Sequence, residues 1–176
     1  YAIIGRSGSG KSTLAKGICG FLTPMSGECV IDGIKVNDIS YDELFKYLIY
    51  QEQGEALFDG TLMDNIDLTR KRSKEKLYQI RKSVRLDEMF DRQPEGQQRF
   101  SGGEVQRILL ARAFSTDAKL MVLDECLSAL DNENARQIEA NILRQKEKGV
   151  IMITHRIYEK NMRMYDCVLV MENGRL

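Results

Sequence analysis

Residues 5–13 run Gly5-Arg6-Ser7-Gly8-Ser9-Gly10-Lys11-Ser12-Thr13, directly behind the short apolar stretch Tyr1-Ala2-Ile3-Ile4. Glycines admit backbone angles closed to other residues, so successive N–H groups can turn into one anion-sized hollow. Lys11 adds a point charge that can reach the β- and γ-phosphates of a nucleotide, and Ser12 adds a hydroxyl suited to Mg²⁺. Residues 12–21 hold no proline and are mostly good helix formers, which predicts a helix aiming its N-terminal dipole at phosphate. A strand, a phosphate-binding loop and a helix in that order constrain the chain to an α/β arrangement around a nucleotide site.

At 176 residues the chain has room for one domain with a real core and a small attached subdomain. Apolar residues make up 43% and charged residues 30%, an ordinary globular composition. The 26 basic and 26 acidic residues cancel, so charge gives no reason to propose a nucleic-acid partner. Cys19, Cys29, Cys126 and Cys167 show no metal-ligand spacing, and in a phosphate-handling chain they read as reduced, small apolar fillers. No apolar run approaches the ~18 residues of a membrane span, and no signal peptide is recognisable. The chain lacks an initial Met and enters its phosphate loop at residue 5, so it is expected to be a piece of a longer polypeptide.

Apolar patterning supplies the remaining elements. A turn at Thr23-Pro24-Met25-Ser26-Gly27 precedes a hairpin of Cys29-Val30-Ile31 and Ile34-Lys35-Val36 about Asp32-Gly33. Ser40-Tyr41-Asp42-Glu43 reads as a capping box opening a short helix, and residues 47–50 as a short strand. Residues 61–92 are polar with helical spacing of Leu77, Ile80 and Val84. From Gly103, the residues Val105, Ile108 and Leu109 share a helical face. Residues 119–123, 150–153 and 167–170 read as continuous buried strands, and Asp131 as the cap of a helix reaching about residue 145. Continuous apolar strands alternating with helices predict a mainly parallel sheet covered on both faces.

Strand 120–123 ends in Asp124-Glu125. A carboxylate at that end of a parallel strand lies at the ligand crevice, where Asp124 can hold Mg²⁺ and Glu125 can polarise a water. Taken alone, the pair reads better as two solvated acids; together with the P-loop the functional reading prevails. Ser101, in Phe100-Ser101-Gly102-Gly103-Glu104, is a fitting N-cap for the long helix and leaves free N–H groups behind it.

Together these segments resemble the ABC-type ATP-binding cassette, over nearly the whole chain. Gly5 to Thr13 matches its Walker A motif and residues 120–125 its Walker B motif with the catalytic glutamate. Residues 100–104 resemble the signature motif, consensus Leu-Ser-Gly-Gly-Gln, with Phe100 and Glu104 as departures. Ser128-Ala129-Leu130-Asp131 matches the D-loop, and His155, the single histidine, matches the switch histidine that contacts the γ-phosphate. Gln53 keeps the family spacing of the glutamine loop to Leu57-Phe58, with Gln51 as the alternative. Residues 58–66 look like an exporter-type cassette, with a helix starting near Thr61. The family's adenine-stacking aromatic falls upstream of Tyr1. Pro94-Glu95-Gly96-Gln97-Gln98-Arg99 replaces the longer acidic and glycine-rich segment usual in exporters, and the chain stops before the family's C-terminal helices.

The resemblance implies a P-loop NTPase core (residues 1–58 and 103–176) with an inserted helical subdomain, about 59–102, carrying the signature. It implies MgATP binding and hydrolysis powering an exporter at the cytoplasmic face of a membrane. The expected partners are a second cassette and transmembrane domains fused upstream. Gly5, Arg6, Ser7, Gly8, Ser9, Gly10, Lys11, Ser12, Thr13 and Asp131 would hold the nucleotide, with Ser101, Gly102 and Gly103 acting across the dimer. Lys11, Gln53, Glu125 and His155 would act in catalysis, and Ser12, Gln53 and Asp124 at the metal. Two other readings are a chromosome-maintenance ABC ATPase and a regulatory module without turnover. The first expects a long coiled coil where only 47 residues separate Gln53 from Ser101; the second usually lacks Glu125 or His155.

Overall fold

The structure, a computed structural model, describes residues 1–87 and 100–176. Five strands form one sheet: β1 (Ala2–Ile4), β4 (Leu48–Gln51), β5 (Leu120–Asp124), β6 (Gly149–Thr154) and β7 (Val168–Val170), in the order β4-β5-β6-β1-β7. Every pairing in it is parallel, for example Ile3 against Ile153 and Leu169. All five strands therefore release their following loops at one edge, where parallel sheets place their ligands. The expected hairpin forms separately, β2 (Val30–Ile31) against β3 (Ile34–Lys35), and Asp32 and Gly33 both take positive φ, as a tight two-residue turn requires.

Because side chains alternate across a sheet, each central strand feeds two cores. Ala2, Met121, Leu123 and Met152 face one cluster, while Ile3, Val122 and Ile153 face the other. The first cluster is covered by α4 (Lys74–Ser83), α5 (Gly102–Ser115) and α6 (Asn132–Leu143), which contribute Ile80, Ile108, Leu110, Ile138 and Ile142. The second is covered by α1 (Lys11–Ile18) and α2 (Tyr41–Tyr47) through Ala15 and Leu44, with Cys19 and Val36 between them. The short α3 (Leu62–Ile66) packs on α5 and sends Ile66 into the first core. Among the described residues no helix is long and apolar enough to cross a membrane.

Several boundaries differ from the sequence expectations. The helix after the P-loop ends at Ile18 rather than residue 21, because Gly20 takes a left-handed φ of 74° and Phe21 donates its N–H back to the Lys16 carbonyl at 2.9 Å. The expected capping box at Ser40 does not form: its hydroxyl donates to the Glu43 carboxylate at 3.1 Å instead of accepting a backbone N–H. Tyr47 belongs to α2, and β4 runs one residue further than expected, to Gln51. The helix capped by Asp131 ends at Leu143, two residues early. The segment 61–92 contains α3 and α4; its last residues, and Pro94 to Arg99, lie outside the described residues. All four cysteines are free, with Cys19 and Cys126 buried.

A buried arginine fastens the loop after β4 to α5. Arg112, 6% exposed, donates to the Asn65 carbonyl (2.9 Å) and side-chain oxygen (2.8 Å) and to Glu55 (2.7 Å), and its guanidinium lies 4.5 Å from the Phe58 ring centre. Asn65 in turn bonds the Phe58 N–H and carbonyl at 2.8 and 3.0 Å. Buried ions survive only with their donors satisfied, and here planar donors meet oxygens on three sides.

At the start of α3 the expected cap at Thr61 forms a full capping box with Asp64. The Asp64 carboxylate accepts from the Thr61 hydroxyl (2.7 Å) and backbone N–H (3.1 Å) and from Arg70, and these bonds hold its pKa down to about 2. Thr61→Ala is expected to cost about 1 kcal/mol of stability through the lost cap, read from chemical denaturation. NMR titration of that variant is expected to move the Asp64 midpoint upward. Since the folded carboxyl is the stronger acid, its contribution is present above the ordinary aspartate pKa and fades as pH falls toward about 2.

Candidate nucleotide-binding and hydrolytic site

The loop after β1 is shaped by contacts that exclude a side chain. A Cβ on Gly5 would lie 2.2 Å from the Met171 carbonyl and 2.8 Å from Ser9 Oγ, so only glycine passes beneath the end of β7. Ser9 N–H closes the loop onto the Arg6 carbonyl at 3.1 Å, and Gly10 stands as the N-cap of α1. Lys11, 5% exposed, folds back over this loop and donates to the carbonyls of Gly5 (3.0 Å) and Arg6 (2.9 Å). Its ammonium has a third donor for a ligand oxygen. Ser9 is buried, and Arg6, Ser7, Gly8, Ser12 and Thr13 are exposed to solvent at the mouth.

Asp124 ends β5 and is 2% exposed. One of its oxygens accepts from the Tyr50 hydroxyl at 3.1 Å; the other, Oδ1, is buried with no hydrogen-bond partner among the described residues. Ser9 Oγ is orphaned in the same way. Burial, together with the negative Asp124, pushes the Tyr50 hydroxyl well above the ordinary tyrosine range, so it remains a donor to that carboxylate. An unpartnered buried carboxylate oxygen asks for a cation or a donor. With the exposed Ser12 hydroxyl it is the oxygen chemistry Mg²⁺ takes, an ion usually held by one or two carboxylates plus substrate phosphate. Consistent with so sparse a set, no group of three or more His, Cys, Asp or Glu gathers for a metal among the described residues.

Glu125 takes a left-handed φ of 48°, a strained state for a residue with a side chain, and its N–H donates to the Ile153 carbonyl at 2.9 Å. That turn presents the carboxylate between two neighbours. Gln53 Nε2 donates to Oε2 at 2.8 Å, and His155 Nε2 meets Oε1. The other ring nitrogen of His155, Nδ1, lies 3.0 Å from the Gly5 carbonyl. That carbonyl can only accept, so Nδ1 carries a proton and the ring orientation is fixed from both sides. Gln51, by contrast, is 3% exposed within β4, with its side-chain oxygen unpartnered among the described residues. Of the two glutamines, Gln53 is the one brought to Glu125.

Ser101, Gly102 and Gly103 stand apart from this cluster. Ser101 is the N-cap of α5, its hydroxyl accepting from the Glu104 N–H (3.3 Å) while its own N–H donates to the Glu104 carboxylate (2.8 Å). Glu104, a departure from the signature consensus, thus completes a capping box. Ser101 and Gly102 are exposed, and among the described residues no hydrogen bond joins residues 101–103 to the P-loop. Asp131 caps α6, accepting from the N–H groups of Glu133 and Asn134. Tyr50, Gln106 and Arg112 were not anticipated from the sequence, because each acts on a partner 23 to 74 residues away.

A family model described as ABC transporter matches residues 1–128. Among curated proteins, the chain is 36% identical over 186 aligned residues to an ATP-dependent lipid A-core flippase of Xylella fastidiosa, covering 99% of this chain and 31% of that protein. It is 34% identical over 185 residues to the ATP-dependent lipid A-core flippase of Neisseria gonorrhoeae, with 99% and 29% coverage. Among solved structures, a bacterial Atm1-family ABC exporter with ATP bound superposes with a TM-score of 0.87 at 29% identity, over 99% of this chain and 32% of that one. The chain spans about a third of the length of these relatives. The five-stranded sheet superposes on that of the ABC exporter structure, and the chain belongs to the ABC transporter family.

Proposed function

We propose that this domain binds and hydrolyses MgATP to drive an exporter, working as one half of a head-to-tail pair of cassettes. The observation that carries the proposal is the Glu125 carboxylate held between Gln53 and His155, with His155 also bonded to the P-loop carbonyl of Gly5. The P-loop cradles the phosphates with backbone N–H groups, and Lys11 swings its donors from the Gly5 and Arg6 carbonyls to phosphate oxygens. Ser12 and Asp124 would hold Mg²⁺, which would supply positive charge against that building on the transferred phosphoryl group. Glu125 orients a water for in-line attack and draws off its proton, and His155 fixes the carboxylate from the side. Gln53 joins this site to the loop that Arg112 fastens to α5.

The exposed signature turn supports the paired arrangement. Ser101 to Gly103 present a capped helix N-terminus to solvent rather than to their own P-loop, as expected of residues that complete a neighbour's site. We read the helical segment of about 59–102 as the subdomain that carries this turn. The transmembrane partner, fused upstream in the parent chain, and a position at the cytoplasmic face of a membrane belong to the same reading. The similar proteins bear the name lipid A-core flippase, and an amphiphile is the cargo class to try first.

Three variants of the parent protein test this reading. Glu125→Gln is expected to keep nucleotide binding and lower turnover by about 10²-fold or more. Near wild-type ATPase activity would remove Glu125 from catalysis. Lys11→Ala acts earlier, because its ammonium meets phosphate charge in the ground state too: affinity and rate fall together, as read from direct ATP binding. In a mixed dimer, Ser101→Arg is expected to disable the site whose P-loop belongs to the unmutated partner. Loss at the mutant's own P-loop would refute head-to-tail pairing.

A further inference from the structure

One side chain bridges the signature helix and the segment that follows Glu125. Gln106 lies in the second turn of α5, five residues beyond Ser101. Its Oε1 accepts from the Ala129 N–H at 2.8 Å, its Nε2 donates to Ser128 Oγ at 2.8 Å, and the same nitrogen reaches the Glu125 carbonyl at 3.4 Å. The amide thus meets both an N–H and oxygens of one short turn, a match that only a group with donor and acceptor sides can make. The packing around it is equally close. A Cβ on Gly103 would stand 3.1 Å from the Ala129 carbonyl and from Leu130 Cδ2, so the first turn of α5 already rests on the segment Gln106 holds.

Residues 125–130 begin at the strained φ of Glu125, whose N–H donates to the Ile153 carbonyl, and Cys126 is buried in the core. Past Cys126 the turn is exposed at Ser128 and Ala129, and there Gln106 hydrogen-bonds it to α5. Under head-to-tail pairing, Glu125 serves the nucleotide on its own P-loop, while Ser101 serves the nucleotide on the partner's. We infer that Gln106 is a positioning residue that makes these two half-sites move as one body, coupling hydrolysis at one nucleotide to the geometry offered to the other. It touches no nucleotide. Its effect runs through the Glu125–Ala129 turn on one side and the Ser101 turn on the other. This inference rests on the paired ATPase reading given above.

The consequence is a loss at two sites from one substitution. In the full-length transporter, a mixed dimer pairs a tagged cassette carrying Gln106→Ala with an untagged wild-type cassette. Vanadate trapping of a photoreactive ATP analogue then labels each P-loop at which hydrolysis has occurred, and the tag separates the two bands. Removing two neutral hydrogen bonds predicts a fall of about tenfold in both bands, with equilibrium binding of MgATP unchanged within about twofold. Gln106→Glu keeps an oxygen for the Ala129 N–H but has no donor for Ser128 or the Glu125 carbonyl, so it is expected to show a smaller fall than Gln106→Ala at both sites without returning to wild type. Ser128→Ala, which leaves the helix untouched, is expected to give a smaller fall in both bands and serves if Gln106→Ala does not fold. A fall in one band alone, or in neither, overturns the coupling role. Absence of hydrolysis-dependent label in the wild-type pair would instead refute the ATPase reading itself.

Discussion

Parallel pairing of β1 between β6 and β7 is the constraint from which the site follows. In that register the Gly5 carbonyl leaves β1 beside the residue that follows β6, and His155 meets it at 3.0 Å. Next along the sheet, β5 brings Glu125 onto the far nitrogen of the same imidazole, and β4 brings Gln53 onto the same carboxylate. Four segments from opposite ends of the chain meet because four strands point the same way. An antiparallel strand at any of these places would send its loop to the opposite edge.

What holds this edge in place is unevenly distributed. The two cores on either face of the sheet are built mainly from apolar side chains, with the Tyr165 hydroxyl on the buried Glu139 as an exception, and they secure the strands without specifying the loops. The loops are specified by polar contacts with a defined direction: Arg112 on Glu55 and Asn65, Tyr50 on Asp124, and Gln106 on Ser128 and Ala129. The Arg112 and Tyr50 contacts are half or fully buried, where an unmatched donor or acceptor costs more than a matched one contributes, while those of Gln106 lie at the surface. These contacts select one loop geometry more than they stabilise the fold.

That division also explains what was legible in the sequence. Strands and helices of the core show as apolar runs and faces, and the caps at Thr61, Ser101 and Asp131 show because their partners lie two or three residues away. The P-loop, Asp124, Glu125 and His155 show because each sits at a fixed offset from a strand. Ser40 misled because its motif admits two local pairings, and the glutamate side chain took the hydroxyl. Gly20 went unremarked, although a glycine shortly after a helical run is a usable stop signal. Tyr50, Gln106 and Arg112 carry no local signal at all. Their partners are set by the order of strands in the sheet, and a single chain read along its length does not supply that order.

The left-handed backbone at Glu125 sets the domain against its own stability. A residue with a Cβ in that region costs roughly 1–2 kcal/mol relative to one that tolerates it, so glycine or asparagine there would relax the turn. Both would also discard the carboxylate that Gln53 and His155 hold. Backbone strain and the acid therefore share one residue, and a substitution that stabilises the fold at this turn is also one that empties the space between Gln53 and His155.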